Sequence, residues 1–491
     1  MTKFTKSLLA LPVLLLTATL LMMTGCSLDD PKDPSDLINA PSVEDAGARY
    51  VAVGNSLTAG FMDGGLMMAG QQFSYPNLIA GQLGLNRSTF TQPWIAAPGI
   101  GGVSGANVTG VLYYNGSSIT VLGTTPLANV QSTLLLAAAQ PTQYHNLGVP
   151  GARVHDAMNA YDHASGYGGT NSFFDFINRA ALFGNHPRTV TIQGNDVTYQ
   201  SASQFYQAVA KGGALTTLWL GNNDVLGPAT SGEPAAGFGN QGSAAELQFR
   251  ADYTALLAGL AGGLAQRNNG LTPTIVVGTI PSVQSTPYFI PKATFDTFVT
   301  SQIGQTWPAG TAEAGVVYVL FPTLSWIASH AGSGDFATPI PAEYTLDAGE
   351  TTDVGTATAV YNAIITNVAA AVDGSGIAKV GVVNMGNVLA ARSTAEKTHF
   401  LFLKGAGLTT AQAAATTLFS LDGVHPNSHG QGVMANAFID VINALDSSSI
   451  AHVDPAALPW DPTYGMPQDT KAGAVPVLDP QAAEAMAGIW R

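Results

Sequence analysis

Residues 50–58 read YVAVGNSLT, an apolar run that ends in a glycine turn and a helix-opening pair. Tyr50 to Val53 is an apolar run too short for a helix. Gly54 makes the turn, and Asn55 and Ser56 are residue types that open helices. A short apolar run with no polar alternation is a strand buried on both faces, as in a parallel sheet sandwiched between helices. Four more runs have the same form, at 143–147, 215–220, 274–279 and 379–384, alongside the first at 50–53. Helical patterning covers 73–83, 245–264, 356–372 and 432–445. Strands alternating with helices predict an α/β fold, a three-layer α/β/α domain around a mostly parallel five-stranded sheet. The gaps before the second and fifth strands are too long for simple crossovers. Insertions are therefore placed near 85–140, 152–212 and 281–355 within a domain at 49–450. Two hairpins are expected inside them: VLYYNGSSITVLG at 111–123, turning at Asn115-Gly116, and TVTIQGNDVT at 189–198, turning at 194–196. The segment 451–491 is Pro-rich with isolated aromatics such as Trp460, Tyr464 and Trp490, and reads as an irregular extension.

Composition narrows the function. Of 491 residues only 10% are charged, 18 Lys and Arg against 32 Asp and Glu, for a net charge of −14. A hydrophobic content of 46% excludes a disordered chain. The acidic balance argues against nucleic acid as a partner, because phosphate binding needs basic clusters. One cysteine, Cys26, can form neither an internal disulfide nor a thiolate zinc cluster.

That cysteine follows an export signal. Lys3 and Lys6 form a positive region, an apolar stretch runs from Leu8 to Met23, and Thr24 and Gly25 break it. An ordinary cleaved signal with an incidental cysteine is one reading. The other rests on Met23-Thr24-Gly25-Cys26, which resembles a bacterial lipobox. That resemblance implies removal of residues 1–25 and lipidation of Cys26, with acyl chains anchoring the protein to a membrane. Residues 26–48 are acidic and Pro-containing and read as a tether. Ser27 after the cysteine favours the outer membrane by resemblance to sorting rules. No later segment has 18 uninterrupted apolar residues.

Four blocks follow strand ends, the edge where open α/β sheets bind ligands. Ser56 in Gly-Asn-Ser-Leu is either a helix N-cap or a nucleophile needing a base. Gly151 in Val-Pro-Gly opens a backbone N–H to a close approach, although Gly-rich loops abound here. Asn223 in Gly-Asn-Asn-Asp supplies a neutral amide donor suited to an oxyanion, or simply an Asx-turn. In Asp-Gly-Val-His-Pro, a turn can bring Asp422 onto His425, where a carboxylate would orient the imidazole. A metal at His425 and His429 lacks a third ligand.

In this order the four blocks resemble those of the SGNH or GDSL serine esterases and lipases, over Val51 to about Phe438. The resemblance implies a flavodoxin-like sheet, Ser56 as nucleophile, His425 as base and Asp422 as its orienting acid. It also implies an oxyanion hole from the N–H groups of Ser56 and Gly151 and the amide of Asn223, and hydrolysis of acyl esters without metal or cofactor. Asn55 stands where the family's name-giving motif has Asp, and Pro150 where Ser is common. Sparse charge in the insertions suits neutral esters. Lipid or simple acyl esters are expected ahead of acetylated carbohydrate, with a non-catalytic binding module as the alternative from another class. The segment FMDGGLMM at 61–68, with Phe73, Tyr75 and Pro76, is either an acyl-pocket lining or core. Tyr288, Phe289, Phe295, Phe298 and Trp307 are either a lid or a satellite core.

Overall fold

The computed structural model describes residues 49–136, 144–169, 171–174, 188–192, 195–199, 203–268, 271–304, 315–335, 337–460, 477–478 and 482. The export signal, Cys26, the tether, Gln143, Trp307, Tyr464 and Trp490 lie outside the described residues.

Five strands form the central sheet: β1 (Tyr50–Gly54), β2 (Asn146–Gly148), β3 (Leu215–Trp219), β4 (Thr274–Gly278) and β5 (Lys379–Val383). Their order is β2-β1-β3-β4-β5 and every pairing is parallel. β1, β3, β4 and β5 fall within a residue of the expected runs, whereas β2 starts later than expected. The order reverses direction at β1, so the crevice beyond its C-terminal end is a topological switch point.

Alternation along the strands explains the layers. Val51 and Val53 of β1 enter one core, with Ile275 and Val277 of β4 and residues such as Leu256, Leu260 and Ile364. Tyr50 and Ala52 enter the other, with Val276, Phe438, Ile439 and Ile442. The helices on the first face are α3 (Val154–Asn159), α4 (Gln204–Lys211), α6 (Ala244–Arg267) and α7 (Ala348–Gly374). Those on the second are α2 (Tyr75–Gln82) and α8 (Ser428–Asp446). Two further helices leave the ends of β1 and β3: α1 (Ser56–Ala59), ahead of these in sequence, and α5 (Asn222–Thr230), between α4 and α6. α7 is the one helix among the described residues long and apolar enough to cross a membrane. It buries Val354, Ala357, Tyr361, Ile364, Ile365, Ala369 and Val372, a stripe at helical spacing that packs on the sheet and on α6.

The insertions carry structure of their own. Leu112–Tyr114 pairs with Ser118–Val121, and the Asn115 side chain accepts from the N–H groups of Ser117 and Ser118 to close the turn. Val477–Leu478 joins this pair as a parallel strand, so part of the C-terminal segment is regular rather than irregular. The second hairpin pairs Arg188–Ile192 with Asn195–Tyr199, so Asn195 and Asp196, expected in its turn, belong to its second strand, while residue 194 lies outside the described residues. In the third insertion Phe289–Pro291, Val316–Leu320 and Thr345–Asp347 form an antiparallel sheet. Tyr288, Phe289 and Phe295 are buried in the main core and Phe298 packs edge-on against Phe402, so these four are core.

Candidate active site

The nucleophile candidate is delivered by a tight strand-to-helix turn. Gly54 ends β1 with Thr58 and the Trp219 carbonyl so close that a Cβ at 54 would lie 1.9 Å from Thr58 Oγ1. Asn55 caps α1, its side-chain oxygen accepting from Leu57 N at 3.1 Å. The N-cap is therefore Asn55, and Ser56 is left in the first helical position with its hydroxyl uncommitted to capping. Asn146 of β2 donates to Thr58 O, Gln431 of α8 donates to Leu57 O, and Gln204 of α4 donates to the carbonyls of Gly54 and Leu147. These buried amides fix both ends of the turn.

The candidate acid–base loop, which carries Asp422 and His425, lies between Leu418 and Asn427. It is closed by Ser420 N to His425 O at 2.8 Å and Asn427 N to Leu418 O at 3.0 Å. Gly423 turns it with φ of +76°, and Asn427 caps α8 by accepting from Gly430 N. Within the loop Asp422 Oδ2 lies 3.0 Å from His425 Nδ1, and His425 Nε2 lies 2.8 Å from Ser56 Oγ. A ring that donates from Nδ1 to a carboxylate keeps Nε2 bare to accept the serine proton. Phe61 packs on the imidazole with ring centroids 4.6 Å apart. Burial works to raise the Asp422 carboxyl. The His425 ring and the N–H groups of His425 and Val424 outweigh it and hold the carboxyl below its usual range.

Asn223 lies in the first turn of α5 beyond β3, and its Nδ2 donates to Ala152 O at 2.9 Å. Asp224 beside it accepts from Val154 N at 3.2 Å, and burial pushes its carboxyl up to about 7. Both residues thereby grip the turn that carries Gly151 (φ +76°). That turn is also held by Asn171 Nδ2 on Pro150 O at 2.8 Å. Ser56, Asn223 and His425 open onto one crevice, while Gly151 sits on an exposed turn outside that lining. His429 instead faces the C-terminal segment, its Nε2 2.7 Å from Leu458 O.

A family model described as GDSL-like lipase/acylhydrolase matches residues 50–438. The chain belongs to the GDSL-like lipase/acylhydrolase family. No curated protein and no solved structure matches it. Membership makes this chain an acyl hydrolase of the esterase or lipase kind, and the match begins at β1 and ends inside α8, spanning the whole sheet.

The rest of the crevice of this GDSL hydrolase is mostly apolar, lined by Leu226, Val283, Met385, Val388, Leu389 and Met434 among others, with Asn222, Thr286 and Arg392 also on its wall. The segment 61–68 is not in it. Phe61, Met62, Leu66 and Met67 are buried core, and Tyr75 stacks on Phe438 at 4.7 Å. The residues that sequence reasoning passed over are Asp63 and Gly64. Met62 and Gly65 bond reciprocally at 3.1 Å, and Asp63 and Gly64 have φ of +53° and +72°. That is a type I′ turn, for which Asp-Gly is a strong sequence signal.

Proposed function

We propose that the chain hydrolyses carboxylic esters through Ser56, His425 and Asp422. The observation that carries this reading is the unbroken hydrogen-bond chain from Asp422 through His425 to Ser56. Ser56 Oγ attacks the ester carbonyl carbon as His425 Nε2 takes its proton. Negative charge gathers on the carbonyl oxygen, for which the Ser56 N–H and the Asn223 amide, both on the crevice, are the proposed donors; Gly151, expected as a third, lies outside the crevice lining. Collapse of the tetrahedral intermediate expels the alcohol, which takes the proton from His425 and leaves an acyl-Ser56. Water, deprotonated by His425, then releases the acid. Asp422 holds the ring in the tautomer this needs and stabilises the imidazolium.

The apolar crevice beside Ser56 and His425 favours an apolar acyl chain over acetylated carbohydrate. A fluorophosphonate probe should label the wild-type protein at Ser56 and leave Ser56→Ala unlabelled. A folded wild-type protein that never labels would point instead to a binding module. Across p-nitrophenyl esters from acetate to octanoate, kcat/KM should rise by about fourfold per methylene, the equivalent of about 0.8 kcal/mol. Faster turnover of acetylated xylan than of any of these esters would overturn the substrate preference. We further propose that lipidated Cys26 tethers the enzyme to a bacterial membrane, the outer membrane being favoured. Radiolabelled palmitate should enter the wild type and not Cys26→Ser.

A further inference from the structure

We infer that Asp63 is a positioning residue whose turn holds Asp422 in register with His425. The inference rests on the triad reading above. Asp422 accepts four N–H donors, which fill the acceptor sites of its two oxygens. Val424 N and His425 N bind Oδ1, and His425 Nδ1 binds Oδ2. The fourth, Gly64 N at 2.8 Å from Oδ2, is the one that comes from outside the acid–base loop among the described residues.

The turn reaches this position because its left-handed backbone aims two consecutive N–H groups in one direction. Asp63 N donates to Ser420 Oγ at 2.9 Å as Gly64 N donates to Asp422. Such paired N–H groups form a concavity suited to an anion. The Asp63 side chain locks the arrangement, its Oδ1 accepting from Leu421 N at 2.9 Å. The backbone carbonyl of Asp63 accepts from Leu112 N, tying the turn to the first insertion. Asp63 is buried. The turn sits immediately after Phe61, whose ring packs on His425. One short segment thus supports the acid through Gly64 and the base through Phe61. Asp63 is not among the residues that line the crevice, and it acts through the loop it grips.

Asp63→Gly and Asp63→Asn separate this role from general stability. Glycine keeps the positive φ and removes the carboxylate, whereas asparagine keeps both the φ and an acceptor oxygen. Asp63→Gly should lower kcat about 10²-fold, as small misplacements of catalytic groups do, with KM changed less than about threefold. The acid limb of its kcat/KM profile should move to lower pH, because an imidazole less firmly held by a carboxylate loses its proton more easily. Asp63→Asn should keep kcat within about threefold of wild type. Ser420→Ala, which removes the acceptor of Asp63 N, should move kcat and the acid limb in the same direction to a smaller extent.

A readout independent of turnover is the low-field proton resonance of His425 Nδ1, assigned by its loss in His425→Ala. It should persist in Asp63→Asn and broaden into solvent exchange in Asp63→Gly. A folded Asp63→Gly with wild-type kcat, acid limb and resonance would overturn the inference, as would equal losses in Asp63→Gly and Asp63→Asn. Wild-type protein that shows the resonance and its Asp63 dependence but labels with no fluorophosphonate would overturn the catalytic reading and leave the positioning intact.

Discussion

Replacing Asp422 with asparagine tests the site most severely, because the geometry leaves the amide no good orientation. The carboxylate accepts four N–H groups, two on each oxygen. An amide has one oxygen and one NH₂. If its oxygen stays on Val424 N and His425 N, the NH₂ faces Gly64 N–H and His425 Nδ1. The imidazole then relieves the clash by moving its proton to Nε2, which places an N–H against Ser56 Oγ and removes the base. If the amide flips, the NH₂ faces the N–H groups of Val424 and His425, and the loop must open. Each buried donor left unpaired costs about 1–3 kcal/mol of stability. The wrong tautomer costs about 10⁴-fold in kcat where the same change has been made in other triads, or about 5 kcal/mol of barrier. The assay is kcat on p-nitrophenyl butyrate, with urea unfolding to establish that the variant is folded. A folded Asp422→Asn retaining kcat within tenfold of wild type would refute the reasoning.

Two further outcomes follow from the same geometry. Asn223→Ala should cost about 10²–10³-fold in kcat with little change in KM, as the loss of one oxyanion donor does, and an unchanged kcat would remove Asn223 from that role. His399 is buried, accepts from Leu401 N at Nδ1 and lies 3.0 Å from Leu421 O at Nε2; burial lowers its pKa to about 4. The unfolded chain takes up a proton near pH 6.5 that the folded chain refuses, so His399 makes stability fall as pH drops from about 6.5 towards 4. Between pH 7 and pH 5 this amounts to about 2 kcal/mol. Urea unfolding should show a loss smaller by about that amount in His399→Gln, and identical pH dependence in the two proteins would contradict the assignment.

The sheet was legible in the sequence because strands buried on both faces leave continuous apolar runs. Tyr50 to Val53 is fully buried, as is every residue of β3 and β4. Helix starts were harder to read, for a physical reason specific to this site. α8 begins at Ser428, ahead of the expected 432, because its first turn is Ser428-His429-Gly430-Gln431. These residues are buried yet polar, with Gln431 serving Tyr75 N and Leu57 O, so apolar periodicity does not register them. The strand Val316–Leu320 is as apolar as the sheet strands. Nothing in its composition says that it pairs with Phe289–Pro291 and Thr345–Asp347. The candidate site was legible as four separate blocks. What joins them was not, because it depends on backbone N–H and carbonyl groups that carry no residue signature. Only the Asp63-Gly64 turn left a mark that could be read.

The insertions look excessive until the hydrogen bonds around the acid–base loop are followed to their sources. Gly423 O accepts from Tyr288 N in the third insertion, and Leu421 O pairs with His399 Nε2. Ser420 Oγ, Leu421 N and the Asp422 carboxylate are gripped by the Asp63-Gly64 turn, which is itself bonded to Leu112 of the first insertion. Asn171 and Gln204, from the second, hold Pro150 O and the Gly54 and Leu147 carbonyls. Asp422 and His425 sit on a loop, and loops are the mobile parts of a fold. A triad needs its members held within about 0.5 Å. In this chain rigidity is imported from segments distant in sequence, each contributing one to three bonds beside a member of the proposed triad. Part of the inserted length is thereby accounted for by support of the proposed triad. Part of the third insertion also reaches the crevice wall, where Pro281, Val283 and Thr286 line the space beside Ser56. One segment therefore helps both to brace the acid–base loop and to shape what reaches it.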